Sequence, residues 1–253
     1  MKKVVEILSV SVSFGQKTLL ENVDFSVYER EIFAIIGGSG SGKSTLLKLM
    51  TGLLAPSKGK ILIHGRDLVQ AGDEEYKRLM RRFGILFQNS GLIGSITVLK
   101  NVMLPLLHHT DLGEHLIEAI ALEKLNLVGL AHATNLYPSQ LSGGMRKRVG
   151  LARAMITDPD ILFLDEPSSG LDPVSAASLD QLIVKLNREL GTTIIMVSHD
   201  LESIFKVAQR AILLDGKRKG IVAEGNPEEL RRHSKDRFAQ AFFNRLPLET
   251  PND

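Results

Sequence analysis

Gly37-Gly38-Ser39-Gly40-Ser41-Gly42-Lys43-Ser44-Thr45 is the stretch of this chain whose residue types and spacing carry the plainest chemistry. It fits G-x-x-x-x-G-K-[ST], the pattern of a phosphate-binding loop. Glycines let successive backbone N–H groups turn inward, and a helix start behind them adds positive potential. Lys43 then suits the outer phosphates of a nucleotide, and the Ser44 hydroxyl suits Mg²⁺. A second stretch, Ile161-Leu162-Phe163-Leu164-Asp165-Glu166, is an apolar run ending in two acids. At the carboxyl edge of a sheet, Asp165 suits Mg²⁺, and Glu166 suits orienting or deprotonating an attacking water. A third, Leu141-Ser142-Gly143-Gly144-Met145, precedes Arg146, Lys147, Arg148 and Arg153. Ser142 suits a helix cap, and the two glycines allow close backbone approach, so this is a second helix start suited to an anion. The basic run after it reads as a solvated helix face.

The elements that must position these groups are legible nearby. Ile32-Phe33-Ala34-Ile35-Ile36 reads as a buried strand leading into the loop, and Thr45 to Thr51 as a helix that Gly52 stops. Val10, Val12 and Phe14 alternate with serines, and Val23, Phe25 and Val27 with Asn22, Asp24 and Ser26; these predict two half-exposed strands joined near Gly15. Lys60–His64 and Gly84–Phe87 are further short strands. From Asn89 to about Asp158 the spacing of Val98, Val102, Leu106, Leu116, Ile120 and Leu127 turns helical, with Pro105 expected to kink or end the first helix. Ile161–Leu164 resumes the sheet. Asp172 and Pro173 then open a helix through Leu179, Leu182, Ile183, Leu186 and Leu190, which Gly191 ends. Ile194–Val197 and Ala211–Leu214 are the last buried strands. Strands alternating with helices predict a mostly parallel, doubly wound α/β sheet.

Bulk properties set limits. The chain has 253 residues, 43% of them hydrophobic, which suffices for a large core. Its 31 basic and 29 acidic side chains leave +2, too little to argue for a nucleic-acid partner. There is no cysteine, which excludes disulfides and thiolate metal sites. No apolar run approaches the roughly 20 residues of a membrane span. The apolar stretch after Met1-Lys2-Lys3 breaks at Glu6, too early for a signal peptide. The expectation is a cytoplasmic protein that serves any membrane from outside the lipid.

Ser142-Gly143-Gly144, with the phosphate loop before it and the Asp165-Glu166 strand after it, resembles the nucleotide-binding subunit of ABC transporters. The resemblance covers about residues 1–225. It implies a P-loop NTPase with a RecA-like parallel-sheet core, a small antiparallel β subdomain and an inserted helical subdomain at about 89–158; residues 226–253 form a tail. It also implies roles residue by residue. Phe14 resembles the aromatic that stacks on adenine, with a place in the strand core as its rival. Gln88 resembles the glutamine that senses Mg²⁺ and the γ-phosphate. Ser169-Gly170-Leu171-Asp172 resembles the loop that crosses the dimer interface, and His199 the switch histidine at the γ-phosphate. His64, His108, His109, His115, His132 and His233 match no role. The implied site is shared between two copies. ATP lies on one copy's Gly37–Thr45 and is closed by the other's Ser142, Gly143 and Gly144. Lys43, Gln88, Glu166 and His199 do the catalysis, and Ser44, Gln88 and Asp165 hold Mg²⁺.

Finer details narrow the resemblance. Met145 stands where glutamine is commoner, Tyr137-Pro138-Ser139 precedes the Ser-Gly-Gly segment, and Asn89-Ser90-Gly91-Leu92-Ile93 follows Gln88. With the Arg/Phe-rich tail, these resemble the ATPases of Mla and Mce-type phospholipid transport. That implies a homodimer at the cytoplasmic face of the inner membrane, with a permease and an MCE-type lipid-binding protein and no nucleic acid. Two residues depart from the pattern: Gly38 stands where proline is frequent, and Lys100 where glutamate is frequent near the permease-coupling surface. Phe238, Phe242 and Phe243 are expected to pack on a partner copy or accessory subunit, or else on their own chain. The rival readings are the ATPase of a polar-solute importer, such as one for an amino acid, and a soluble cluster-assembly ATPase.

Overall fold

The structure is a computed structural model that describes residues 2–247. In chain order it runs β1 (Lys3–Phe14), β2 (Lys17–Tyr28), β3 (Ile32–Gly37), α1 (Lys43–Met50), β4 (Lys58–Ile63), β5 (Arg66–Asp67), α2 (Asp73–Met80) and β6 (Phe83–Leu86). Then follow α3 (Val98–His109), α4 (Glu114–Leu127), two short 3₁₀ turns, α5 (Gly143–Ala154), β7 (Ile161–Asp165) and α6 (Pro173–Leu190). The chain closes with β8 (Thr193–Val197), α7 (Leu201–Val207), β9 (Arg210–Asp215), β10 (Gly220–Gly225), α8 (Pro227–His233) and α9 (Arg237–Asn244). Two compact units emerge: one holds residues 1–71 and 196–253, the other 72–195, and β8 lies where they divide.

In the first unit, β1 and β2 pair antiparallel with Val5 opposite Val27 and Val10 opposite Val23. The alternating Val10, Val12, Val23, Phe25 and Val27 are all buried, as their period of two requires. β4 adds antiparallel to β1, with Ile61 opposite Ile7, and carries β5 at its far edge. Every residue of β3 is buried. This strand pairs parallel with β9, Ala34 beside Ala211 and Ile36 beside Leu213, and β10 adds antiparallel to β9. A continuous apolar run is what a strand buried on both faces needs. Arg210 at the start of β9 ties this unit together. Its guanidinium lies between the rings of Tyr28 (4.9 Å) and Phe33 (4.7 Å) and pairs with Glu31 at 2.7 Å. Burial works against its charge, but Glu31 and Glu224 hold its pKa above the usual arginine value.

The tail belongs to this unit. α8 is capped by Asn226 and α9 by Asp236. Phe243 is buried, its ring 6.2 Å from Phe205 of the same chain, while Phe238 and Phe242 are half-buried. Of the two expectations for the three phenylalanines, packing on their own chain holds for Phe243: α7 gives it an apolar neighbour, which removes its area from water.

In the second unit β6 pairs parallel with β7, Gly84 beside Leu162 and Leu86 beside Leu164. A side chain on Gly84 would sit 2.0 Å from the Ala154 carbonyl, so glycine lets α5 close on the strand. α3, α4 and α5 pack on one another through Val102, Leu106, Ile117, Leu125 and Val149. Pro105 does not end α3, which continues to His109. Burial of Val98, Val102, Met103 and Leu106 along its inner face outweighs one lost backbone bond. α6 starts and stops as its sequence predicts: Asp172 accepts from Val174 and Ser175 N–H, and Gly191 ends it at φ 68°.

Candidate functional site

The first unit builds a phosphate cradle from backbone. β3 delivers Gly37, and α1 begins at Lys43, two residues before the expected start. Gly40 and Gly42 adopt φ of 74° and 100°, conformations that side-chain-bearing residues rarely reach. A Cβ on Gly37 would lie 2.6 Å from both the Leu214 carbonyl and Ser41 Oγ. Gly216, in the turn after β9, borders the loop: a Cβ there would be 3.4 Å from Ser41 Cα, an ordinary contact. Lys43 Nζ lies across the loop, donating to the carbonyls of Gly37 and Gly38, each at 2.9 Å. Ser41 Oγ is buried and has no hydrogen-bond partner among the described residues. A loop of small residues with a buried cation and an orphan hydroxyl fits a polyphosphate.

Two more expected residues lie in this unit. Phe14 ends β1 and is 55% exposed, so its rival reading as a strand-core residue fails. An exposed ring at a strand end suits stacking on a base. His199 is exposed just beyond β8, where Ser198 N–H donates to the Ile35 carbonyl at 3.3 Å. Asp200 caps α7 and so fixes the chain direction immediately after the histidine.

The second unit holds the acidic and signature residues. β7 ends at half-buried Asp165, and Glu166 follows, 8% exposed, at φ 48°. A glutamate in the left-handed region costs of order 1–3 kcal/mol and persists only where its surroundings enforce it. Ser169 N–H donates to the Glu166 carbonyl, closing the turn towards Leu171 and Asp172. Gln88 is exposed after β6. Ser142 caps α5 by accepting from Met145 N–H at 3.2 Å, as expected, with Gly143 and Gly144 in its first turn.

The basic run of α5 is not the solvated face its sequence suggests. Lys147 is 5% exposed and donates to the carbonyls of Gln88 and Glu166. Burial lowers its pKa from the usual lysine value, and nearby Asp165 and Glu166 oppose that shift. Arg153 donates to the carbonyls of Ser90 and Gly91, both at 2.7 Å, and burial lowers its pKa too. Arg148 donates to the Val128 carbonyl and Ser178 Oγ, and Arg146 to the Leu141 carbonyl. Sequence reading missed Lys147 and Arg153 because their acceptors are backbone groups between 19 and 63 residues away. The one available signal was the helical spacing that puts Lys147 on the face of Gly150, Leu151 and Ala154 rather than on a free charged face.

Among the described residues no group of three or more His, Cys, Asp or Glu could hold a metal. The Ser44 hydroxyl in the first unit, and the Asp165 carboxylate and Gln88 amide in the second, are each hard oxygen donors, the kind Mg²⁺ takes beside waters and substrate phosphates. Among the described residues no helix is long and apolar enough to cross a membrane. The second unit also carries a groove of about 1010 Å³, lined by Tyr76, Met80, Phe87, Leu104, His108 and Arg153 among others.

Comparison with known proteins finds similar chains. The ABC transporter family profile matches residues 20–169. The intermembrane phospholipid transport system ATP-binding protein MlaF of Haemophilus influenzae is 39% identical over 94% of this chain and 90% of its own length. The methionine import ATP-binding protein MetN 3 of Pseudomonas fluorescens is 43% identical over 85% of this chain and 67% of its own length. Among solved structures, a dimeric ATP-binding cassette in a post-hydrolysis state with ADP and phosphate is 33% identical, with a TM-score of 0.79, covering 88% of this chain and 98% of that one.

Proposed function

Because this chain belongs to the ABC transporter family, as an ATP-binding and ATP-hydrolysing subunit, we propose that it powers phospholipid transport between bacterial membranes. The observation that carries the cargo reading is the relative from a phospholipid system, which aligns with nearly the whole of both chains. The rival is import of a polar solute, which the methionine-import relative supports. The two readings share every site residue and differ in partners.

The site residues take the following roles in this proposal. Phe14 stacks on the base. The N–H groups of Gly37, Gly38, Ser39, Gly40, Ser41 and Gly42, with Lys43, Ser44 and Thr45, bind the phosphates. Ser44, Gln88 and Asp165 hold Mg²⁺, which would neutralise charge on the phosphates. Glu166 orients the attacking water and takes its proton; His199 senses the terminal phosphate. Ser142, Gly143 and Gly144 offer a capped helix start to the nucleotide of a second copy, a reading supported by the dimeric state of the related cassette. Binding then joins two copies and hydrolysis separates them, so that motion and chemistry are coupled.

The same proposal divides the chain into an ATP-binding domain at 1–225, with a helical lobe at about 89–158, and a tail at 226–253. It places the homodimer peripherally on the cytoplasmic face of the inner membrane, against a permease and an MCE-type protein. The groove lined by Leu104, Pro105 and His108 of α3 suits a permease element, and Lys100 lies exposed on the same helix. A mild-detergent pull-down of the tagged chain from its own cells tests the cargo. A multi-span permease with an MCE-type protein and phospholipid is the expected result. A permease with a solute-binding protein and no MCE-type protein would overturn it.

A further inference from the structure

The buried cation of α5 is unusual in what it touches. Lys147 lies a little over one turn beyond the Ser142 cap, and its Nζ reaches two carbonyls from two different segments. One belongs to Gln88, just past β6; the other to Glu166, just past β7. A cation this deeply buried costs several kcal/mol unless its donors are met. Neither acceptor lies in a regular element, and the Glu166 carbonyl takes its Lys147 bond beside the turn bond from Ser169 N–H. The Glu166 carbonyl is aimed by a left-handed backbone at φ 48°, and a bond to it holds that conformation in place. One and a half turns further along α5, Arg153 treats the chain after Gln88 the same way. It bonds the carbonyls of Ser90 and Gly91, both at φ 60°. α5 therefore grips two irregular stretches that carry proposed site residues, at four carbonyls.

We propose that Lys147 is a positioning residue for ATP hydrolysis: from the helix that Ser142 begins, it fixes the backbone of Gln88 and of Glu166 so that both side chains keep one relation to each other. The proposal rests on the roles given above to Gln88 and Glu166. Lys147 touches neither reacting atom. It acts through the peptide groups of residues that do, and a small displacement of a water-orienting carboxylate is enough to cost rate. Lysine suits the task because an ammonium has three donors and no acceptor, and can serve two carbonyls in different directions. Methionine in its place fills similar volume and leaves both carbonyls without that donor. Arginine restores donors.

The test is steady-state ATP hydrolysis by the full chain, with nucleotide affinity and melting temperature measured alongside. Lys147→Met is expected to lower kcat about tenfold or more while KM for ATP stays within about threefold, the mark of an interaction that matters in the transition state. Lys147→Arg should recover kcat to within about threefold of the parent chain, which a loss of packing alone would not permit. Arg148→Met is the structural comparator: it removes a similar cation whose acceptors, Val128 and Ser178, lie outside the site. It should lower the melting temperature with kcat changed by less than about twofold. If Lys147→Met does not fold, Lys147→Gln carries the test, with an expected kcat loss of about threefold or more. A folded Met or Gln variant with kcat within about twofold of the parent, or a loss that appears in KM alone, overturns the proposal. Glu166→Gln separates the two levels. If it hydrolyses normally, the reading of Glu166 falls and the role of Lys147 with it. If it is inactive while Lys147→Met is not, the role of Lys147 falls alone.

Discussion

The two units solve the same problem, holding reactive groups still, by opposite means. The loop at Gly37–Thr45 is held by its own backbone. Glycines take the turns, α1 starts where the loop ends, and Leu20, the Leu214 carbonyl and Gly216 close on it from outside. The segments around Gln88 and Glu166 have no such local pattern. They are held from outside by cationic side chains of α5, each reaching carbonyls far away in sequence. A cradle suited to phosphate needs inward N–H groups and little side-chain bulk at its turns. In its proposed role Glu166 needs an aim, and cationic side chains from a packed helix reach the backbone that would give it one.

Four substitutions break or sharpen this contrast. The largest effect belongs to Lys43→Ala, the one side chain the cradle depends on. ATP affinity, read with a fluorescent analogue, is expected to fall about a hundredfold or more, as for a lost charge-assisted contact to phosphate. Unchanged affinity would remove the loop from the site. Next is Glu166→Gln: hydrolysis should slow at least about a hundredfold while ATP still binds, the signature of a lost general base. Gly84→Ala attacks the support of α5. Its Cβ would meet the Ala154 carbonyl at 2.0 Å, and overpacking of this kind costs about 1–3 kcal/mol, measurable by chemical denaturation. An unchanged midpoint would mean that α5 is not held against β6 by that close approach. The smallest effect is Ser41→Ala. Its hydroxyl is buried with no partner among the described residues, so its loss should leave stability equal or raise it by about 1 kcal/mol. ATP affinity should change by less than about threefold if backbone N–H groups do the binding. A large loss of affinity would make Ser41 a ligand in its own right and weaken the contrast.

What could be read from the sequence follows the same division. The loop, the strand before it and the caps at Ser142 and Asp172 are local patterns, and the structure has each of them. The alternation of Val10, Val12, Val23, Phe25 and Val27 predicted β1 and β2 because a period of two is also local. Three features were hidden. Lys147 and Arg153 look like surface charges until the carbonyls of Gln88, Ser90 and Gly91 are brought beside them. Pro105 looks like a helix end until burial of the residues around it is counted. Phe243 looks unpartnered until Phe205 arrives from α7. In each, tertiary contact overrides what the local chain prefers.

The pairing of β3 with β9 bears on how this protein is born. β3 is among the first strands made, yet its parallel neighbour β9 lies some 177 residues later, after the whole second unit has been synthesised. Gly216, which seats against the phosphate loop, comes later still. On a translating ribosome adding about 5–20 residues per second, the loop sequence is present for many seconds before the strand that frames it. Residues 72–195 can collapse as a unit in that interval, while Ile32–Gly37 waits with the edge that β9 will pair still open. A nascent chain stalled before Arg210 therefore carries the whole Gly37–Thr45 motif without the strand and turn that frame it.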